Sequence, residues 1–260
     1  MLTRILTAAI GLVVFFGVIF APPFVLYLAL LIVTAEMLTE VYHVMDVKGS
    51  LRVVGYSSGL VMFAGFFANK VGIAFYGAIF LYMAALVFLW RKSSSKETLG
   101  AGMVTIFITC AILSLAVIHE RYRMYATLLP FVIAWLTDTG AYFTGYFFGK
   151  HKLVPKMSPK KTVEGAIGGV VFAMIATVVY GIIIYGNNSA GFILKLALIG
   201  GAGSVISQIG DLAASCIKRD YGKKDYGSLL PGHGGLMDRF DSVLFAAPYA
   251  LLVLSYFGIC

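Results

Sequence analysis

Nine apolar stretches of about 15 residues or more run almost from one end of this chain to the other, and they leave few folds open to it. They lie approximately at Ile5 to Phe20, Phe24 to Leu38, Leu51 to Asn69, Val71 to Trp90, Gly100 to Ile118, Met124 to Phe148, Ala166 to Tyr185, Phe192 to Ile209 and Val243 to Gly258. A bilayer core about 30 Å thick takes about 20 residues of helix, fewer where flanking side chains snorkel. The expected fold is therefore all-α: one polytopic integral membrane body of about nine transmembrane helices. Composition agrees, with 60% hydrophobic and 12% charged residues and a mean hydropathy of +0.92. An ordinary soluble domain is about a quarter charged, so a soluble globule is excluded, and intrinsic disorder with it.

Ala21-Pro22-Pro23 breaks the first two stretches apart, as a tight hairpin or a re-entrant pair, because proline removes backbone donors. Arg4 and the run after it resemble a signal peptide. Pro22-Pro23 stands where a small-residue cleavage site belongs, so the segment is expected to be retained. Net charge is +8, from 20 Lys and Arg against 12 Asp and Glu. With nine spans, 16 of the 20 basic residues fall on the side of the N-terminus, and short cytoplasmic loops carry such an excess. The N-terminus is expected to be cytoplasmic and the C-terminus outside, in a multi-pass protein of the inner (cytoplasmic) membrane. Lys150, Lys152, Lys156, Lys160 and Lys161 form one basic loop; Lys218, Arg219, Lys223, Lys224 and Arg239 form another. Two spans separate these loops whatever happens upstream, so both are expected on the cytoplasmic face. Cys110, Cys216 and Cys260 stand too far apart for a disulfide framework or a zinc site and read as small core hydrophobes.

Acids divide the chain. Glu36, Glu40, Asp46, Glu97 and Glu120 look like span ends, whereas Asp138, Glu164, Asp211, Asp220, Asp225, Asp238 and Asp241 lie close to lysines and glycines. Residues 1–130 thus read as a transmembrane scaffold. Residues 131–260 read as the region that carries a site, expected to be the catalytic one if the chain is an enzyme, with two cytoplasmic polar loops, within one membrane-embedded body.

Between Ser204 and Ser242 a helix is expected to run out near Ile217 and restart near Leu236, after a stretch rich in glycine. Asp238 and Asp241, spaced i, i+3, then share one helix face, where two carboxylates repel unless a cation or proton offsets them. Asp211, near the end of the preceding span, can face the same place. Carboxylates without cysteine or a histidine pair suit a hard cation, and Mg²⁺ typically takes one or two of them plus substrate phosphates. The neighbouring Lys and Arg supply counter-charge for phosphate, and the run Gly232 to Gly235 offers backbone donors. The bland alternative is a solvated basic loop with incidental acids.

A second polar cluster reads Asp138-Thr139-Gly140-Ala141-Tyr142, then Gly149 to Lys152, then Ser158 to Gly165. Asp138, inside an apolar run, is either functional or a structural hydrogen-bonded acid. Ser158 or Thr162 is placed to cap the following helix, whose start attracts anions. Other signals fail. Gly145 to His151 has the wrong spacing for a P-loop and His where Ser or Thr must hold Mg²⁺. Gly201-Ala202-Gly203 reads as close helix packing. His43 and His119 read as interfacial, and Glu36 and Glu40 as the cytoplasmic rim in preference to a cavity wall.

The segment from Ser215 to Asp241 resembles the signature of the phosphatidate cytidylyltransferase (CDP-diacylglycerol synthase) family. Ser215, Ile217, Lys218, Arg219, Lys224, Asp225, Gly227, Leu230, Pro231, His233, Gly234, Gly235, Leu236, Asp238, Arg239, Phe240 and Asp241 fill its fixed positions. Ser158 to Gly165 and Asp138 to Tyr142 resemble the family's other polar segments. The resemblance implies transfer of a cytidylyl group from CTP to phosphatidic acid, giving CDP-diacylglycerol and pyrophosphate in phospholipid biosynthesis. It implies dependence on Mg²⁺, with a second cation compatible, and makes Asp211 and Asp238 the metal ligands supported by Asp241 and Asp138. Lys218, Arg219, Lys224, Arg239 and His233 are then expected at the phosphates as catalytic residues. Ser158, Lys160, Lys161, Thr162, Glu164, Ser215, Asp225, Gly234 and Gly235, with Asp138, are expected to bind substrate. The implied partners are CTP, phosphatidic acid and the surrounding membrane lipids, with no nucleic-acid polymer; a homodimer is compatible. Acyl chains stay in the bilayer and CTP arrives from the cytosol, so the site must open both to lipid and to cytoplasm. A transporter would spread acids over several spans, but the three from Leu51 to Ile118 carry none. The CDP-alcohol phosphotransferase motif is absent. A related nucleotidyltransferase acting on a different acceptor is the nearest alternative.

Overall fold

The computed structural model describes residues 2–122, 124–230, 232 and 234–257, with side chains from residue 6 onward. Every apolar stretch coincides with a helix. The elements are α1 (Leu2–Phe20), α2 (Pro23–Val44), α3 (Ser50–Phe67), α4 (Val71–Phe88), α5 (Ser95–Arg121), a 3-10 turn (Met124–Leu128), α6 (Leu129–Phe148), β1 (Lys152–Val154), β2 (Ser158–Thr162), α7 (Val163–Tyr185), α8 (Ala190–Asp220), α9 (Met237–Phe240) and α10 (Val243–Phe257). Six of these, α2, α3, α4, α5, α7 and α8, are long and apolar enough to cross a membrane, and Leu6–Phe20 and Val243–Phe257 are shorter apolar helices. The protein is an all-α polytopic membrane protein.

Local chemistry sets the helix boundaries. Pro22 caps α2 and Pro23 occupies its first turn, where a missing N–H costs nothing. α5 starts five residues before the apolar run because Ser94 and Glu97 form a capping box: the Ser94 N–H donates to Glu97 Oε2 at 2.8 Å and the Glu97 N–H to Ser94 Oγ at 3.2 Å. α8 continues well past Ile209 to Asp220, carrying polar residues beyond the apolar run.

Two compact units emerge. The first comprises residues 1–116 and 221–239, the second residues 117–220 and 240–260. The signature loop thus groups with the N-terminal helices, whereas the sequence division had placed it with residues 131–260.

In the first unit, α2, α4 and α5 share a buried hydroxyl network. Tyr42 is bonded to Thr105, Tyr82 lies 2.7 Å from Thr105 Oγ1, and the two phenols stand 3.3 Å apart. Where no water reaches, these hydroxyls satisfy one another, which ties the three helices together.

In the second unit, small residues bring the helices close. A Cβ on Gly200 would lie 2.6 Å from the Ala173 carbonyl oxygen, so α7 and α8 pack backbone to backbone there. Gly203 sits 3.0 Å from the Ile133 side chain on the same measure, as its packing reading expects. Ile118, Leu129, Ile133, Leu196, Ile199, Val253 and Leu254 form the buried core of this unit.

Candidate active site

The hairpin β1–β2, antiparallel with Val154 opposite Ser158, is anchored to the start of α7. Thr162 caps that helix, its Oγ1 accepting the Gly165 N–H at 3.1 Å, while Ser158 pairs within the hairpin. Glu164 accepts the N–H of Lys150 at 3.1 Å and of His151 at 3.2 Å, and His151 Nδ1 lies 2.6 Å from its other oxygen. Glu164 therefore clamps the chain leaving α6 onto the first turn of α7, where negative charge is favoured.

From this base the hairpin reaches the end of α8. Lys161 Nζ pairs with Asp211 Oδ2 at 2.5 Å, and Arg219 Nε donates to the Met157 carbonyl at 3.3 Å. The hairpin, with Lys160 and Lys161, and the last turns of α8, with Lys218 and Arg219, thus meet in the second unit.

Acids gather around that contact. Asp211 Oδ1 accepts the Ser215 hydroxyl one turn along at 3.4 Å. Asp241 is 9% exposed and its Oδ1 accepts the Ser242 N–H at 2.8 Å. Burial first, then the neighbouring Asp211, push the Asp241 carboxyl up to about 7; Asp138 acts in the same direction and Lys218 opposes it. Lys218 is itself buried. Asp138 is exposed, with the Ser242 hydroxyl at a long 3.5 Å from Oδ2. The second unit therefore brings together Asp138, Lys161, Asp211, Ser215, Lys218 and Asp241.

Two carboxylates, Asp211 and Asp241, thus stand here beside two lysines, Lys161 and Lys218. Among the described residues no group of three or more His, Cys, Asp or Glu side chains is placed to hold a metal. Two carboxylates completed by substrate phosphates and water are nevertheless the usual protein share of a Mg²⁺ site, and Asp211 with Asp241 fits that share.

In the first unit, the signature loop closes on Asp238. Its Oδ2 accepts the N–H of Tyr226 at 2.8 Å and of Gly235 at 3.0 Å, so the Gly235 donor is already used. Leu230 donates to the Gly234 carbonyl at 3.0 Å. Gly234 has φ +83°, and a Cβ there would stand 3.0 Å from Asp238 Oδ2, so both backbone and space call for glycine. Lys224, Asp225 and Arg239 are exposed, as is Lys160 in the second unit. His233 lies outside the described residues.

Two readings need correction. α9 ends at Phe240, so Asp241 is not on a helix face shared with Asp238. Asp241 instead occupies the turn before α10, where its carboxylate takes the Ser242 N–H. Glu40 is not a solvent-facing residue: it is 5% exposed and accepts the N–H of Leu236 at 2.9 Å and of Met237 at 2.8 Å. The i, i+4 spacing from Glu36 to Glu40 is the sequence signal for this contact, and it is shared by the commoner case of a solvated helix end.

A family model described as "Cytidylyltransferase family" matches residues 2–257. The chain is 33% identical to a phosphatidate cytidylyltransferase of Staphylococcus saprophyticus over 98% of its own length and 99% of the relative's. It is 30% identical to the enzyme of that name from Staphylococcus epidermidis, again over 98% and 99%. To that of Bacillus subtilis it is 41% identical over 139 residues, 54% of this chain and 51% of the relative.

Proposed function

The chain belongs to the cytidylyltransferase family, and from that premise we propose that it is a phosphatidate cytidylyltransferase. A phosphatidate phosphate oxygen attacks the α-phosphorus of CTP, the bond from that phosphorus to the bridging oxygen of the β-phosphate breaks, and CDP-diacylglycerol and pyrophosphate leave. The attacking oxygen is already anionic near neutral pH, so no strong general base is required. The barrier lies in bringing anions together.

The observation that carries this reading is the acid and lysine cluster of the second unit, where the half-buried Lys161 holds Asp211 at 2.5 Å beside the buried Asp241 and Lys218. Asp211 is a proposed metal ligand in the second unit, with Asp241 and Asp138 in support, and Asp238 is a proposed metal ligand carried by the first. A bound Mg²⁺ would supply positive charge at the α-phosphate. Lys218, Arg219, Lys224, Arg239 and His233 neutralise the phosphates, favouring departure of pyrophosphate. Lys160 and Lys161 on the hairpin meet the same anions. Thr162 and Glu164 act indirectly, by fixing the base of that hairpin.

The excess of Lys and Arg on one side supports nine spans with a cytoplasmic N-terminus, and a site facing the cytoplasm of the inner membrane. CTP then reaches it from the cytosol and phosphatidate from the leaflet.

Purified protein with Mg²⁺ is expected to move label from the α-phosphate of CTP into organic-extractable lipid only when phosphatidate is present. Asp238→Asn should reduce transfer to background while the protein still folds and unfolds cooperatively. Near-normal turnover in that variant would remove Asp238 from the metal assignment; lipid labelling without phosphatidate would overturn the acceptor.

A further inference from the structure

We propose that Glu40, on α2, is the positioning residue for Asp238 and the loop that carries it; the proposal rests on the catalytic reading of Asp238 given above. The loop from Tyr226 to Asp238 is organised by two carboxylates that divide four backbone donors between them. Asp238 takes Tyr226 and Gly235; Glu40 takes Leu236 and Met237. The three successive amides immediately before Asp238 are therefore all held by carboxylates, two of them by a residue from another helix.

The fit around Glu40 is close. A Cβ on Gly227 would lie 2.5 Å from Glu40 Oε1, and one on Gly235 would stand 2.6 Å from its Cδ. Glycine at these two positions lets the loop backbone wrap the carboxylate from two sides. A buried carboxylate is costly to desolvate, and aligned N–H donors offset that cost with charge-assisted hydrogen bonds. An apolar residue at position 40 would leave the buried Met237 amide and the half-buried Leu236 amide without these bonds, so the loop and the acid need one another. Because the Met237 amide adjoins Asp238 in the chain, movement of Glu40 becomes movement of Asp238. Glu40 touches backbone alone in these bonds, which makes it a positioning residue.

The test uses the full chain in nanodiscs, with Glu40→Gln as the near-isosteric variant and Glu40→Leu as the apolar one. Gln keeps one acceptor oxygen but turns an NH₂ toward the second amide. Hydrogen exchange of peptides covering 226–240 is expected to rise on the order of tenfold in Glu40→Gln, from loss of one charge-assisted bond. Peptides from α3 and α4 should keep wild-type protection. The Mg²⁺ concentration giving half of the metal-induced thermal shift should rise several-fold. With labelled CTP, turnover should fall more than the KM for CTP rises. Unchanged exchange in 226–240, or an equal increase throughout residues 2–116, would overturn the proposal, the second because it marks a general structural role. If Glu40→Leu fails to fold, Glu40→Gln decides. Absence of transfer by the wild-type protein would count against the cytidylyltransferase reading alone, because the exchange measurement reads the loop without turnover.

Discussion

Replacing Lys161 by Met tests whether the contact between the hairpin and α8 is an electrostatic fastening or an incidental approach. Lys161 Nζ and Asp211 Oδ2 are 2.5 Å apart, with side chains 27% and 25% exposed, so about three-quarters of each is out of water. Exposed ion pairs contribute about 0.2–1 kcal/mol, and hydrogen bonds to charged groups about 1.5–3. A pair of intermediate burial should therefore couple by about 1–2 kcal/mol, or roughly 2–8 °C in unfolding midpoint for a chain of this size. The single variants should be unequal. Lys161→Met leaves Asp211 facing Asp241 and Asp138 without its ammonium, whereas Asp211→Asn relieves the repulsion on Asp241 and frees a lysine long enough to reach solvent. Thermal unfolding in detergent without divalent ions, for both single variants and the double variant, gives the coupling directly. Mg²⁺ should then stabilise Lys161→Met more than wild type, because a cation takes the place the ammonium held. Coupling below about 0.3 kcal/mol, or equal Mg²⁺ responses, would refute the electrostatic account.

Two further measurements probe the same unit. The Asp241 carboxyl, raised to about 7, holds its proton below that pH and competes with a cation, and releases it above. Mg²⁺-induced stabilisation should therefore grow between about pH 6 and pH 8, and Asp241→Asn should flatten the profile. Without metal the sign is opposite: a carboxyl with a raised folded pKa makes the fold less stable as pH climbs from about 4 to about 7. Gly200→Ala should cost about 1–3 kcal/mol in thermal unfolding, because its Cβ would meet the fixed Ala173 carbonyl. Gly191→Ala on the same helix, with nothing within 4 Å, should be neutral or slightly stabilising; equal losses would sink the packing argument.

The helices were legible because each apolar stretch is long and the bilayer leaves a buried backbone little else to do. Their ends were less so. α5 begins at a capping box whose polar residues fall outside any hydropathy window, and α8 outlasts its apolar run by a full three turns of mixed polar and apolar residues. The hairpin is two short strands of mostly polar residues, with no apolar alternation to mark it. At the site, the acids and lysines were identifiable as residue types that a membrane protein keeps for a purpose. Their partners were not. Lys161 with Asp211 and Glu40 with Leu236 are pairings between segments distant in sequence, which no local period encodes. The i, i+3 argument for Asp238 and Asp241 failed because α9 is a single turn, too short for helical spacing to govern a residue just past its end.

Glu40 and the amides it binds are separated by 196 and 197 residues. A ribosome adding about 5–20 residues per second leaves roughly 10–40 s between the emergence of that glutamate and of its partners. Over that interval α2 enters the bilayer with an acid whose partners have yet to be synthesised, so water or a borrowed proton must shelter it. The first unit acquires its last segment only when the chain has been made through Arg239, which makes its assembly a late event in the life of the nascent protein.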